Sequence, residues 1–208
     1  QFIGPDAENE WDSFGNLWTY GDRLHINLND DYDTTQELSA VDTHDTIEIN
    51  LSYTRLQTNI EIVGDQTNTS VYYYNNWNLV YAEESRGVLT TYRGKNWDVI
   101  AVEVSESIDP NSLKLVDSGK FVGTYVYEEA LADEMAAGAE GESNSVSRTY
   151  LEAIEGGGYT LVGREEVWDQ TFEDGNSNYN LTRYNADNEY VYSEWTNTWE
   201  GQTQGGSN

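Results

Sequence analysis

The sequence predicts an all-β chain: an antiparallel meander closed into a β-sandwich or a barrel, with one short helix near residues 127–137. Three observations carry that reading. Apolar and polar residues alternate with period two over many short runs. β-branched and aromatic residues dominate those runs. Turn-forming residues separate the runs at short intervals.

The alternation begins at Leu24, Ile26 and Leu28, which are interleaved with His25, Asn27 and Asn29. It returns at Ile47, Ile49, Leu51 and Tyr53, and again at Ile60 and Ile62. This is the signature of a sheet with one wet face. Val71–Tyr74, Leu79–Tyr81 and Val88–Tyr92 follow as short runs parted by Asn75–Asn76 and Arg86–Gly87. Ile100, Val102 and Val104 make the next strand, which Pro110 ends because proline cannot donate to a ladder. Phe121–Tyr127 resumes the pattern. Tyr127, Leu131 and Met135 then fall at helical spacing among alanines, with Gly138 as a stop. Gly138–Ser147 is small and polar and reads as a mobile loop. Two hairpins complete the chain, Arg148–Ile154 with Tyr159–Trp168 and Asn178–Tyr184 with Tyr190–Trp199. The total is about nine to twelve strands. No repeat period marks a solenoid or propeller.

Three segments follow from this pass. Residues 1–14 form an N-terminal arm whose Phe2, Ile3, Trp11 and Phe14 could dock on a neighbour. Residues 15–200 form a single β domain. Residues 201–208 have the composition of a linker tail.

The charge is lopsided: 38 acids face 10 bases in 208 residues, for a net charge of −28. Repulsion on this scale calls for screening by salt or by bound cations. It also argues against nucleic acid and anionic membranes, whose phosphates need a basic patch. A mimic of DNA would need duplex-like spacing of its acids, and these are dispersed. Seven Trp, 16 Tyr and 4 Phe argue for a packed fold over a disordered one. The absence of Cys removes disulfides, thiolate metal sites and cysteine nucleophiles. No apolar run is long enough to span a membrane. A removed leader or a trimmed end would account for a chain opening at Gln1. Sequons at Asn50, Asn68 and Asn180 are as many as so polar a composition yields by chance.

Chemistry is sparsely signalled. His25 and His44 lie apart, and no G-x-S-x-G elbow is present, so a nucleophilic triad lacks its parts. Paired carboxylates such as Glu165, Glu166 and Glu194 could serve a polysaccharide hydrolase or lyase, but nothing separates them from the other acids. Calcium is better motivated. Asp30, Asp31 and Asp33 cluster after a predicted strand. Asp174, Asn176 and Asn178 alternate around small residues like the first half of a calcium loop, without the Gly and Glu of an EF-hand. Turn formation is the ordinary role of such residues. Trp195 and Trp199 share strand parity with Val191 and read as core. Trp11, Trp18, Trp77 and Trp97 sit near turns, where an exposed ring can stack on a sugar or fill a partner's pocket.

The expectation is a non-enzymatic, extracellular or cell-surface assembly or adhesive subunit. It would be salt-adapted or calcium-binding, and would form a homo-oligomer or filament. A ligand- or carbohydrate-binding module is the alternative, and a carboxylate-based polysaccharide-active enzyme the third.

Overall fold

Period-two alternation does build strands almost throughout. The computed structural model describes residues 16–20, 23–41, 48–63, 66–131 and 141–208. Two compact units divide at Glu103/Val104, within the stretch that the sequence presents as one domain. The first unit holds β1 (Asn16–Tyr20), β2 (Arg23–Val41), β3 (Glu48–Val63), β4 (Gln66–Asn75), β5 (Asn78–Arg86), β6 (Leu89–Arg93) and β7 (Val99–Val104) up to its last residue, where the division falls. The second holds β8 (Lys114–Leu115), β9 (Tyr125–Leu131), β10 (Gly141–Ala153), β11 (Tyr159–Phe172), β12 (Ser177–Tyr184), β13 (Tyr190–Trp199) and β14 (Gln202–Ser207). Strand order equals chain order in both sheets, so each is a seven-stranded meander. Neighbours from β1 to β6 and from β8 to β14 pair antiparallel. Among the described residues each order is linear, and neither sheet closes on itself as a barrel.

In the first unit the register sorts side chains by chemistry. Leu24, Ile26 and Leu28 stand opposite Ile62, Ile60 and Thr58, and the same face continues through Val71 and Tyr73 to Tyr81. The other face carries His25, Asn27 and Asn29 opposite Glu61, Asn59 and Gln57, and continues to Ser70, Tyr72 and Glu84. Leu79, Tyr81, Ala82, Val88 and Leu89 are the buried apolar residues among those described in this unit.

The core of the second unit lies around Val126, Tyr150, Leu151, Leu161 and Leu181. Phe121 stacks on Tyr150 with ring centroids 4.0 Å apart. It can do so because the residue opposite Tyr150 is Gly163, where an added Cβ would meet the Phe121 ring at 3.1 Å.

Three expectations need correction. The predicted helix is strand as far as it is described: Tyr125–Leu131 pairs with β10 over seven positions, while residues 132–137 lie outside the described set. The predicted loop is strand from Gly141 onward, with Ser145 and Ser147 buried. The linker-like tail is β14, the edge strand of its sheet. In each case a ladder of backbone hydrogen bonds outweighs a weak local preference.

Candidate functional site

Two surfaces concentrate unusual features, one in each unit. In the first unit, β-register places Arg55 opposite Tyr74, and Gln57 opposite Tyr72, on the polar face. Ala82 and then Arg93 continue the Tyr72 row. Arg55 is heavily engaged. Its Nη2 donates to Asn29 Oδ1 at 3.1 Å, and its Nε lies 3.5 Å from Asp31. Its guanidinium also covers the rings of Tyr74 and Trp77, at 5.5 and 4.6 Å from their centroids. Trp97 approaches Tyr72 with centroids 5.6 Å apart. Tyr72 Oη donates to Glu84 at 3.1 Å, and Arg93 Nε donates to the same carboxylate at 2.6 Å. Burial raises the hydroxyl pKa of Tyr72 and Tyr74, against a lowering influence of Arg55 on Tyr74. Arginine and tyrosine thus alternate with carboxylate and amide beneath two indoles.

Elsewhere in this unit Tyr32, Tyr53, Tyr73 and Tyr81 run edge to face and tilted, with successive centroids 5.8, 5.1 and 5.6 Å apart. Tyr81 Oη donates to Glu83 at 2.9 Å. Beside Tyr81 an open groove of about 450 Å³ is lined by Ile49, Leu51, Val80, Lys95 and Ile100.

In the second unit the long edge is β14, exposed at all six positions. Asn208 and Ser193 exchange both backbone bonds, at 2.9 and 3.3 Å. Pairing with β13 therefore uses the even-numbered residues of β14 and turns the N–H and C=O of Thr203, Gly205 and Ser207 outward. Gly206 faces Trp195, and a Cβ there would meet the indole at 3.2–3.5 Å. The ring therefore lies over the edge strand itself. Trp195, Trp199 and Val191, read from sequence as core, are exposed. The opposite edge, β8, is only two residues long and begins with a lysine, which protects it from further pairing.

One face of this sheet also carries a charge ladder. Glu128 stands opposite Arg148, Arg148 opposite Glu165, and Glu165 opposite Arg183. Lys114 Nζ donates to Glu128 at 2.6 Å and Arg148 Nε donates to it at 3.0 Å. Buried Glu165 accepts from Arg183 Nε at 2.5 Å and from Tyr150 Oη at 2.8 Å. The Lys114 hydrogen bond, then that of Arg148, holds Glu128 below the usual carboxylate range, while burial opposes them. Burial first, and the bond to Glu165 second, push the Tyr150 hydroxyl up.

The residues singled out from sequence are distributed as follows. Asp30, Asp31 and Asp33 lie inside β2, all exposed. Asp30 pairs with Leu56 and Asp31 with Arg55, so these two neighbours point to opposite faces. Asp174 and Asn176 shape the β11–β12 turn: Asp174 accepts from the Asn176 backbone at 2.9 Å and from its amide at 2.7 Å. Asn176 in turn accepts from the Glu200 backbone at 2.8 Å, and Asn178 stands in β12 opposite Gln170. Among the described residues no group of three or more acids or histidines is placed to hold a metal ion. Glu165 and Glu166 fall on opposite faces, each bound to an arginine, and Glu194 accepts from Tyr192 at 2.8 Å. Asn68 is buried and donates to Glu61, which leaves its amide poorly placed for a glycan. Phe2, Ile3, Trp11, Phe14 and His44 lie outside the described residues.

Sequence reasoning passed over the arginines, which only the register aligns with the tyrosines. The signal available was the Asn-Trp pair, which occurs in Asn75–Asn78 and again in Lys95–Asp98. No family model, curated protein or solved structure matches the chain.

Proposed function

We propose that the chain is an extracellular structural subunit that assembles by adding a strand from a neighbouring copy to the β14 edge. The observation that carries this reading is that edge: six residues with no proline and no charge, all exposed among the described residues, beside an exposed indole row. Natural sheets normally blunt such an edge with charge, bulge or cover, because outward N–H and C=O groups template further pairing. Here Gly206 leaves room for the Trp195 ring against the strand. An incoming strand gains main-chain bonds from Thr203, Gly205 and Ser207 and an apolar contact with the indole.

The N-terminal arm carries the side chains such a strand needs. Phe2, Ile3, Trp11 and Phe14 each contribute roughly 1.5–3 kcal/mol when fully buried. The net charge of −28 suits a surface that meets high salt, where repulsion between copies is screened.

Sedimentation velocity in high salt tests the proposal. The full chain should form species larger than one copy, growing with concentration. Thr203→Pro with Ser207→Lys removes one outward donor and places a cation on the edge, and it should yield a folded monomer. Deleting residues 1–14 should do the same. If the edge variant dissociates and the deletion does not, another segment supplies the strand. If all three sediment as the same monomer, the proposal fails.

A further inference from the structure

The turn between β4 and β5 and the turn between β6 and β7 share a feature the fold does not require. In each, an Asn-Trp pair has both residues at positive φ: 48° and 68° for Asn76 and Trp77, 63° and 68° for Asn96 and Trp97. Left-handed backbone crowds the Cβ of an L-residue against a carbonyl oxygen. Asn tolerates it, and the second place in such a turn is ordinarily glycine. Trp therefore strains the backbone there. It also leaves a large ring in water, with Trp77 76% and Trp97 48% exposed. Strain combined with apolar exposure at two turns of different length points to a use for the rings beyond packing. In a meander alternate turns lie at the same end of the sheet, so both tryptophans stand at one end. Both rings rest on the same face: Trp77 on Arg55, and Trp97 on Tyr72.

From this we infer a binding platform for a neutral glycan chain, with the two indoles as stacking plates and the Arg55–Tyr74 and Tyr72–Arg93 rows as the hydroxyl-binding floor. The apolar face of a sugar ring packs on an indole, while its hydroxyls need donors and acceptors at the rim. Arg55, Arg93, Glu84, Asn29 and Gln57 supply both on this face. Successive same-face rows lie about 6.6 Å apart, of the order of one sugar unit. Charge selects the class of glycan. Arg55 is matched by Asp31 and Arg93 by Glu84, so neither cation is spare for a carboxylated or sulfated polymer. The net charge of −28 repels such polymers at longer range.

The test is native affinity electrophoresis of the full chain through gels containing a soluble β-glucan, a mannan or a galactan, with polygalacturonate as the anionic control. At least one neutral polymer should retard the protein, and polygalacturonate should not. Trp77→Gly and Trp97→Gly accept the same backbone angles, so each variant should keep its circular dichroism. Each should weaken the retarding interaction tenfold or more, and the double variant should abolish it. Trp77→Asn, which also tolerates positive φ, should match Trp77→Gly. Absence of retardation by all three neutral polymers, retardation by polygalacturonate instead, or undiminished retardation of the folded double variant would each overturn the inference.

Discussion

Replacing Arg183 by Met should unfold the second unit far more readily than any other break in the charge ladder. The Glu165 side chain is 8% exposed and Arg183 is 26% exposed. Removing one partner of a buried ion pair costs about 3–5 kcal/mol, because the remaining charge stays desolvated. The guanidinium is partly wet, Tyr150 still donates to Glu165, and Arg148 still stands opposite it. The cost therefore belongs at the lower end, about 3 kcal/mol, or roughly a hundredfold in the folding equilibrium. Lys114→Met is the matched control. It breaks a pair whose members are 71% and 34% exposed. Exposed pairs of that kind contribute about 0.2–1 kcal/mol. Urea unfolding at fixed salt, followed by amide exchange in β10 to β12, reads both variants. Adding Glu165→Gln to Arg183→Met removes the stranded charge while keeping an acceptor for Tyr150, and should recover more than half of the loss. A loss for Arg183→Met no larger than for Lys114→Met would refute the reasoning.

Three further outcomes are expected. Burial raises the pKa of Tyr72, Tyr73, Tyr74, Tyr81, Tyr150, Tyr179 and Tyr184 in the folded state. Their contribution is complete below the unfolded value of about 10 and is lost as pH rises beyond it, so tyrosinate absorbance and loss of β-structure should rise together. Glu128 titrates below its unfolded value, so its contribution is present above about pH 4.5 and is lost as pH falls through the depressed value. With a third of the side chain exposed, that contribution is under about 1 kcal/mol, and carboxyl NMR should see the titration move up in Lys114→Met. Raising NaCl from about 0.1 to 1 M shortens the screening length from about 10 to 3 Å and should raise the melting temperature, because repulsion within a net −28 exceeds the loss at exposed pairs. A fall in melting temperature would mean that the attractive pairs dominate.

The strands were legible because their evidence is local. Leu24, Ile26 and Leu28 announce a face, and that face is built. The errors came where local and long-range preferences conflict. Tyr127 and Leu131 fit a helical spacing, yet Val126, Glu128 and Ala130 also alternate with Tyr127, Glu129 and Leu131, and the partner strand decides. Ser145 and Ser147 resemble loop residues by composition, but pairing with β9 and β11 buries both. The candidate sites were harder to see because they depend on pairing. Arg55 lies far along the chain from Tyr74, and Arg148, Glu165 and Arg183 meet only through the registers of three strands. Asp30 and Asp31 are adjacent in sequence, and in a strand adjacency means opposite faces. Trp195 and Trp199 have the parity of core residues, and only their place beside an edge strand leaves them in water.

The identity of strand order and chain order has a kinetic consequence. Every pairing joins consecutive strands, so no contact in either sheet waits for a distant segment to arrive. Loop-closure entropy is small at each hairpin, and low sequence separation favours fast folding compared with Greek-key sandwiches of similar size. Hairpins such as β10–β11 can form first and recruit neighbours outward in both directions, much as a repeat array propagates from any nucleus. An outermost strand is then the last to join and the first to leave. At β14 that places a late-joining strand of the second unit on the side where a new chain would be added, so growth and fraying compete at the same edge.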